Sequence, residues 1–223
     1  MKKIISLGIV CLFLGVIAIS QIQCTSTNEN KEMTKEEMVA RGKYLVNLGG
    51  CNDCHSPKIM TAMGPIPDTT RLLSGHPANE MLAPIDPSMI APGKWVLTSG
   101  TDFTAWVGPW GISYAANLSP DRETGTGAWT PEVFIKALRT GKMMGAGRPI
   151  LPPMPWQAIG QLPDKDLKAI FAYLQSIPAV KNQVPNAVPP NMIEAMNKKD
   201  MKNMGKKKEV KEMKKMKTPS KKM

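Results

Sequence analysis

The sequence predicts an all-α domain with a loop-rich insertion, and three observations carry that expectation. Segments beginning at Thr34, Thr130 and Asp164 repeat apolar residues at helical spacing and carry helix start or stop signals. The stretches between them are rich in proline, glycine and short polar residues. Residues 94–112 alone have the β-branched and aromatic content of a short hairpin.

The first helix opens with a capping box, Thr34 and Glu37, and runs to about Leu48 with Met38, Val39, Leu45, Val46 and Leu48 as its apolar face. Gly49 and Gly50 then turn the backbone into Cys51-Asn52-Asp53-Cys54-His55. This C-x-x-C-H pentapeptide reads as a c-type haem attachment site. Two thiols three positions apart can each form a thioether to a haem vinyl group, with His55 beneath the iron. A zinc site needs further ligands, and His76 is the only other histidine. A thioredoxin-like redox pair needs a βαβ setting.

Residues 56–79 read as irregular structure covering one side of the haem. His76, in Gly75-His76-Pro77, is a weak candidate axial ligand and reads rather as part of a surface turn. In the hairpin segment, Trp95, Val96 and Leu97 face Phe103, Ala105, Trp106 and Val107 across Ser99-Gly100-Thr101, and Gly108-Pro109-Trp110-Gly111 ends it. Trp95, Trp106 and Trp110 are read as packing for an insertion, with an electron relay as the sharper alternative.

The second helix starts at Thr130 as N-cap with Pro131 at its first position, buries Val133, Phe134, Ala137 and Leu138, and closes at Gly141. Arg139 and Trp129 flank it; each is either a haem-propionate donor or, more blandly, a solvated arginine and a core tryptophan. Pro152-Pro153-Met154-Pro155-Trp156 follows. Three prolines restrict the backbone around Met154, a way to hold a thioether against iron, so Met154 is selected as the sixth ligand, with Met143 and Met144 as fallbacks. A third helix spans about Asp164 to Ser176, with Leu167, Ile170, Phe171 and Leu174 on its buried face.

The ends of the chain are read separately. Lys2 and Lys3 before the apolar run Ile4 to Ile19 make a secretory signal over residues 1–23, too short for a membrane span. Cys24, followed by the polar linker 24–33, offers lipidation; cleavage after Ser20 and an uncleaved anchor are the alternatives. The haem domain is placed at 34–180, followed by a disordered tail at 181–223. The net charge is +11, but Met196 to Met223 hold twelve lysines against three acidic residues, so a nucleic-acid partner is not expected. The tail is read as a solvated tether; steering of an acidic partner and a Cu(I) site of paired methionines are its sharper alternatives.

With the attachment motif, the Met154 segment and the helix from Asp164-Lys165-Asp166-Leu167 to Tyr173-Leu174 in hand, the chain resembles bacterial c-type cytochromes. The likeness is in particular to the haem domains serving membrane-bound alcohol and sugar dehydrogenases. Arg41-Gly42-Lys43-Tyr44-Leu45-Val46, Asn117-Leu118-Ser119-Pro120-Asp121 and Arg139-Thr140-Gly141 add to it, over roughly residues 36–185. The resemblance implies a cytochrome c fold in which first and last helices cross, one covalent haem c on Cys51 and Cys54, and His55 and Met154 as axial ligands. It implies attachment on the periplasmic side of the bacterial inner membrane, with Cys24 as a candidate lipid anchor. Two departures stand out: a single attachment motif, and Pro163 where a Ser or Thr cap is usual. The expected function is single-electron transfer between redox protein partners, without a substrate of its own. The alternative is an electron-transfer subunit of a membrane-associated dehydrogenase or oxidase. A peroxidase or haem sensor would need an open sixth position.

Overall fold

A glycine sets how closely the first and last helices approach. In the computed structural model, which describes residues 32–98, 102–199 and 201–202, α1 (Lys35–Leu48) lies directly on α5 (Asp164–Leu174). A Cβ at Gly42 would stand 1.9 Å from the Ala169 carbonyl oxygen, so only a hydrogen fits there. Beside this contact the Arg41 guanidinium donates to both oxygens of the buried Asp166, at 3.0 and 3.1 Å. On α1 the buried residues are Gly42 and Val46, whereas Leu48, expected on the apolar face, is 70% exposed.

The main core joins Val46 and Leu73 to Phe134 and Leu138 of α3 (Pro131–Thr140) and to Leu167, Ile170, Phe171 and Leu174 of α5. Phe134 and Phe171 meet with ring centroids 5.4 Å apart. Helix α3 has the ends expected of it: the Thr130 hydroxyl accepts from the Val133 N–H, Pro131 opens the first turn, and Gly141 (φ 66) closes it. Val133 itself is only half-buried. Helix α5 starts after Pro163 with no side-chain cap. Two short helices lie between these, α2 (Cys51–His55) and α4 (Trp156–Ile159).

The helical class fits, but the described residues also form two small antiparallel sheets, where a single short hairpin was expected. The stretch read as irregular contains a hairpin of β1 (Lys58–Thr61) and β2 (Gly64–Pro67), paired Lys58 to Pro67 through Thr61 to Gly64. The expected hairpin is there as β3 (Leu97–Thr98) and β4 (Ala105–Gly108), its tip 99–101 lying outside the described residues. Gly108-Pro109-Trp110-Gly111 does not end the sheet; it turns β4 into a third strand, β5 (Gly111–Tyr114). Trp95 is 69% exposed and packs into no core, against expectation.

The domain end placed at residue 180 also needs correction. The Asn182 side chain donates to the Ser74 and His76 carbonyls, Val188 bridges to Ile112, and Ile193 is fully buried. Ile193 joins Leu82, Ile90, Ala105, Val107 and Ile112 in a second core, and residues 193–199 are helical. The insertion thus has its own core, closed by a segment read as tail because its few apolar residues are widely spaced. The chain divides into Met1–Thr34 and a unit from Lys35 onward. The signal, Cys24, nearly all of the linker and the lysine-rich residues 203–223 lie outside the described residues. No described helix is long and apolar enough to cross a membrane.

His76 is not in a surface turn. It is 1% exposed, its Nδ1 lies 2.9 Å from the Thr104 hydroxyl, its ring lies 4.8 Å from that of Tyr114, and Nε2 is buried with no hydrogen-bond partner. Burial lowers its pKa from 6.5 to about 4. Between these values the unfolded chain binds the proton and the folded chain does not, so stability falls as the pH drops from above 6.5 towards 4. The loss is expected to be on the order of 3 kcal/mol for this group. Urea unfolding of wild type and His76→Gln across pH 4 to 8 checks it: the wild-type slope should be the steeper.

Candidate functional site

The candidate haem site is built where four segments meet around α2. Gly50, in the left-handed region (φ 61), breaks the helical direction after α1 and lets α2 start immediately. One turn of helix then places Cys51, Cys54 and His55 together. Both thiols are free and half-buried, and His55 is buried. Burial pushes both thiols up from their ordinary pKa. It pushes the His55 imidazole down, against the hydrogen bond to Ala116.

That bond defines the ring. Nδ1 of His55 lies 2.8 Å from the Ala116 carbonyl oxygen, which can only accept, so Nδ1 carries the proton and Nε2 keeps its lone pair. Around it, Gly75 N–H donates to the His55 carbonyl and His76 N–H to the Ala115 carbonyl. The far end of α2 is held by Lys58, whose ammonium donates to the carbonyls of Asn52, Asp53 and Ser56 at 3.0, 2.9 and 2.5 Å.

Two adjoining cavities of about 280 and about 200 Å³ open beside His55. Both are lined by His55, Ala116, Leu118, Met143, Arg148, Ile150 and Met154, so they are lobes of one slot. Cys51 and Cys54 border the larger lobe with Trp106, Ser113, Tyr114 and the 151–155 segment. The smaller lobe reaches Trp129, Phe134 and Leu138, and residues 183–186 form part of its rim. The slot is mainly apolar, the setting expected for a flat hydrophobic cofactor.

The four residues selected from sequence, Cys51, Cys54, His55 and Met154, are thus brought to one slot across about a hundred positions of chain. Met154 is half-buried between Pro153 and Pro155. Of the fallbacks, Met143 lines both lobes, while Met144 lines neither and is 58% exposed. Trp129 borders the slot. Arg139 does not: its guanidinium donates to the carbonyls of Gly160 and Leu162 and pairs with Asp164. The arginine at the slot is Arg148, which sequence reading missed although it stands six residues before Met154.

The donor set fits a haem c. Two thiols on one helical turn, an imidazole presenting an unprotonated Nε2 and a thioether converge on one apolar slot. Among the described residues no group of three or more His, Cys, Asp and Glu side chains is gathered to hold a metal ion, so the thiols have no zinc partners. The described strands are all antiparallel, which leaves no βαβ setting for a dithiol redox motif.

Comparison with known proteins gives relatives over part of their length. No family model matches the chain. The chain is similar to cytochrome c subunits of dehydrogenases. One is the gluconate 2-dehydrogenase cytochrome c subunit of Pantoea cypripedii, 27% identical over 74% of this chain and 27% of that protein. A second is the cytochrome c subunit of the quinone alcohol dehydrogenase of Gluconobacter oxydans, 28% identical over 62% of this chain and 21% of that one. The fructose dehydrogenase cytochrome subunit of Gluconobacter japonicus is 36% identical over 34% of this chain and 17% of its own. The chain therefore spans about a quarter or less of the length of these relatives.

Proposed function

We propose that the chain transfers single electrons between redox proteins through one covalently held haem c, with Cys51 and Cys54 as attachment sites and His55 and Met154 as axial ligands. The observation that carries this reading is the convergence of those four side chains on one apolar slot. When bound, haem c supplies a one-electron ferric/ferrous couple. The chain's own residues do the rest. Cys51 and Cys54 fix the group covalently; the Ala116 carbonyl holds His55 in the ligating tautomer and orientation. Met154 with His55 as the second ligand would raise the reduction potential of the haem, suiting an electron carrier. Phe134, Leu138 and Leu118 exclude water, and Arg148 supplies a cation at the slot.

Were His55 and Met154 both to ligate the iron, no position would be left open for oxygen or peroxide, and this reading gives the chain electron transfer rather than substrate chemistry. A partner reaches the haem edge beside the two cysteines through a small, transient interface. Export to the periplasmic side, with Cys24 as a candidate lipid anchor, belongs to the same reading. Because the relatives' names are those of dehydrogenase cytochrome subunits, a second reading is favoured beside the free carrier: a subunit resident on a dehydrogenase. Purification from membranes separates the two, since a subunit co-purifies with a flavin or quinone-cofactor enzyme and a free carrier elutes alone.

Substitution Met154→Ala tests the ligand set. The variant is expected to keep its covalent haem, turn high-spin in the ferric state and show a markedly lower reduction potential. An unchanged spectrum and potential would overturn the assignment of Met154.

A further inference from the structure

Strand β5 and the residues that follow it touch the supports of both axial candidates. Ala116, just beyond the strand, accepts from His55 Nδ1 at 2.8 Å. Ser113, within the strand and 7% exposed, donates its hydroxyl proton to the Pro152 carbonyl at 2.6 Å. Pro152 lies two residues before Met154. Trp110 in turn donates its Nε1–H to the Ser113 oxygen at 3.2 Å, which orients the hydroxyl towards Pro152.

We infer that Ser113 is the positioning residue for the sixth ligand: the insertion's last strand pins the Met154 loop against the slot through the Ser113 to Pro152 hydrogen bond. Pro152, Pro153 and Pro155 stiffen the loop within itself but give it no backbone donor with which to anchor itself to the rest of the domain. Backbone bonds hold the ends of the segment, Ile150 N–H to the Gly141 carbonyl at 2.8 Å before it and the Ala158 and Ile159 N–H groups to the Pro155 carbonyl at 3.1 and 3.2 Å after it, but between them the backbone makes only the long bond from Met154 N–H to the Leu151 carbonyl at 3.3 Å. A proline carbonyl accepts but its nitrogen donates nothing, so at Pro152 an outside donor is the only polar anchor available. Ser113 is that donor, and it also borders the larger lobe beside Met154. The strand is itself held from behind. Ile112 exchanges both backbone hydrogen bonds with Val188, at 2.8 and 2.9 Å, so β5 is a fixed support. The insertion thus has a use beyond bulk: it carries the clamp that keeps a thioether at the iron.

The inference rests on Met154 being the sixth ligand. Its test is Ser113→Ala in the full-length holoprotein, read by the near-infrared methionine-to-ferric-iron charge-transfer band and by titration with imidazole, which competes for the sixth position. The expected result is a weakened band and about a tenfold rise in apparent imidazole affinity, with covalent haem content and far-UV dichroism unchanged. Ser113→Thr, which keeps the hydroxyl, should restore wild-type values. An unchanged band and affinity in Ser113→Ala, or equal loss in Ser113→Thr, would overturn the assignment. Should Ser113→Ala fail to fold, Trp110→Phe carries the test through a smaller rise, about threefold, and no rise overturns it. Met154→Ala run in parallel keeps the two claims apart. A band that persists without Met154 defeats the ligand assignment; a band lost there but untouched in Ser113→Ala defeats only the clamp.

Discussion

A protein with both Cys51→Ala and Cys54→Ala is expected to emerge from the cell with no haem that survives denaturation. The thiols are the only groups at the slot able to form thioethers, and they stand one helical turn apart on α2. With one cysteine left, one bond still forms, so each single variant should retain covalent haem at reduced yield and with a shifted absorption maximum. The effect should be all-or-none in the double variant. The slot formed by Leu118, Phe134, Leu138 and Ile150 would then be uncovered, exposing apolar surface that folding otherwise hides. Intact-mass measurement after acid denaturation reads the outcome directly: wild type carries the mass of one haem, the double variant none. Covalent haem persisting in the double variant would contradict the site.

The second large effect is expected at Gly42. A methyl group there would lie 1.9 Å from the Ala169 carbonyl oxygen and 2.8 Å from the Tyr173 Cβ, and backbone cannot rotate out of the way as a side chain can. Helices α1 and α5 must move apart, loosening the core at Val46, Leu167 and Ile170 and straining the Arg41–Asp166 pair. Overpacking of this kind typically costs about 1–3 kcal/mol, and a contact this short lies at or beyond the top of that range. Alanine returns about 1 kcal/mol of helix propensity. Gly42→Ala should therefore lose about 2 kcal/mol, lowering Tm by roughly 4–8 °C for a domain of this size. Gly42→Val adds bulk and loses propensity, so it should be destabilised further or fail to fold. Thermal unfolding of the holoprotein checks the order wild type, Gly42→Ala, Gly42→Val.

What could be read in the sequence follows from how local each signal is. The ends of α3 depend on Thr130, Pro131 and Gly141 alone, and they stand where those residues predict. The C-x-x-C-H motif is a pentapeptide, so its placement on one helical turn is local too, and Met154, singled out by its prolines, lines the same slot. The signals that failed depend on distance. Sequence reading names Gly42 only within the Arg41 to Val46 stretch, because its packing role is set by Ala169 on another helix. Arg139 could be read as a propionate donor or as a solvated arginine; Asp164 and two carbonyls hold it away from the slot, which Arg148 lines instead.

The strands failed for a related reason. In β1 and β2, Ile59, Met60 and Ile66 are exposed, so alternation between core and solvent never marks them in sequence. Residues 181–199 fold against the insertion through a few long-range contacts, Asn182, Val188 and Ile193, which no window of local composition detects. His76 was read from its glycine and proline neighbours as surface, whereas Thr104 and Tyr114 bury it. At His76 and over residues 181–199, tertiary partners override the local preference.

The most direct test of the central claim, that Cys51, Cys54, His55 and Met154 hold one six-coordinate haem, is the absorption spectrum of the purified chain in both oxidation states, with haem quantified per polypeptide. A low-spin c-type spectrum in both states, a methionine charge-transfer band in the ferric form and one haem per chain is the predicted result. A high-spin spectrum in the ferric state, or more than one haem per chain, would contradict it.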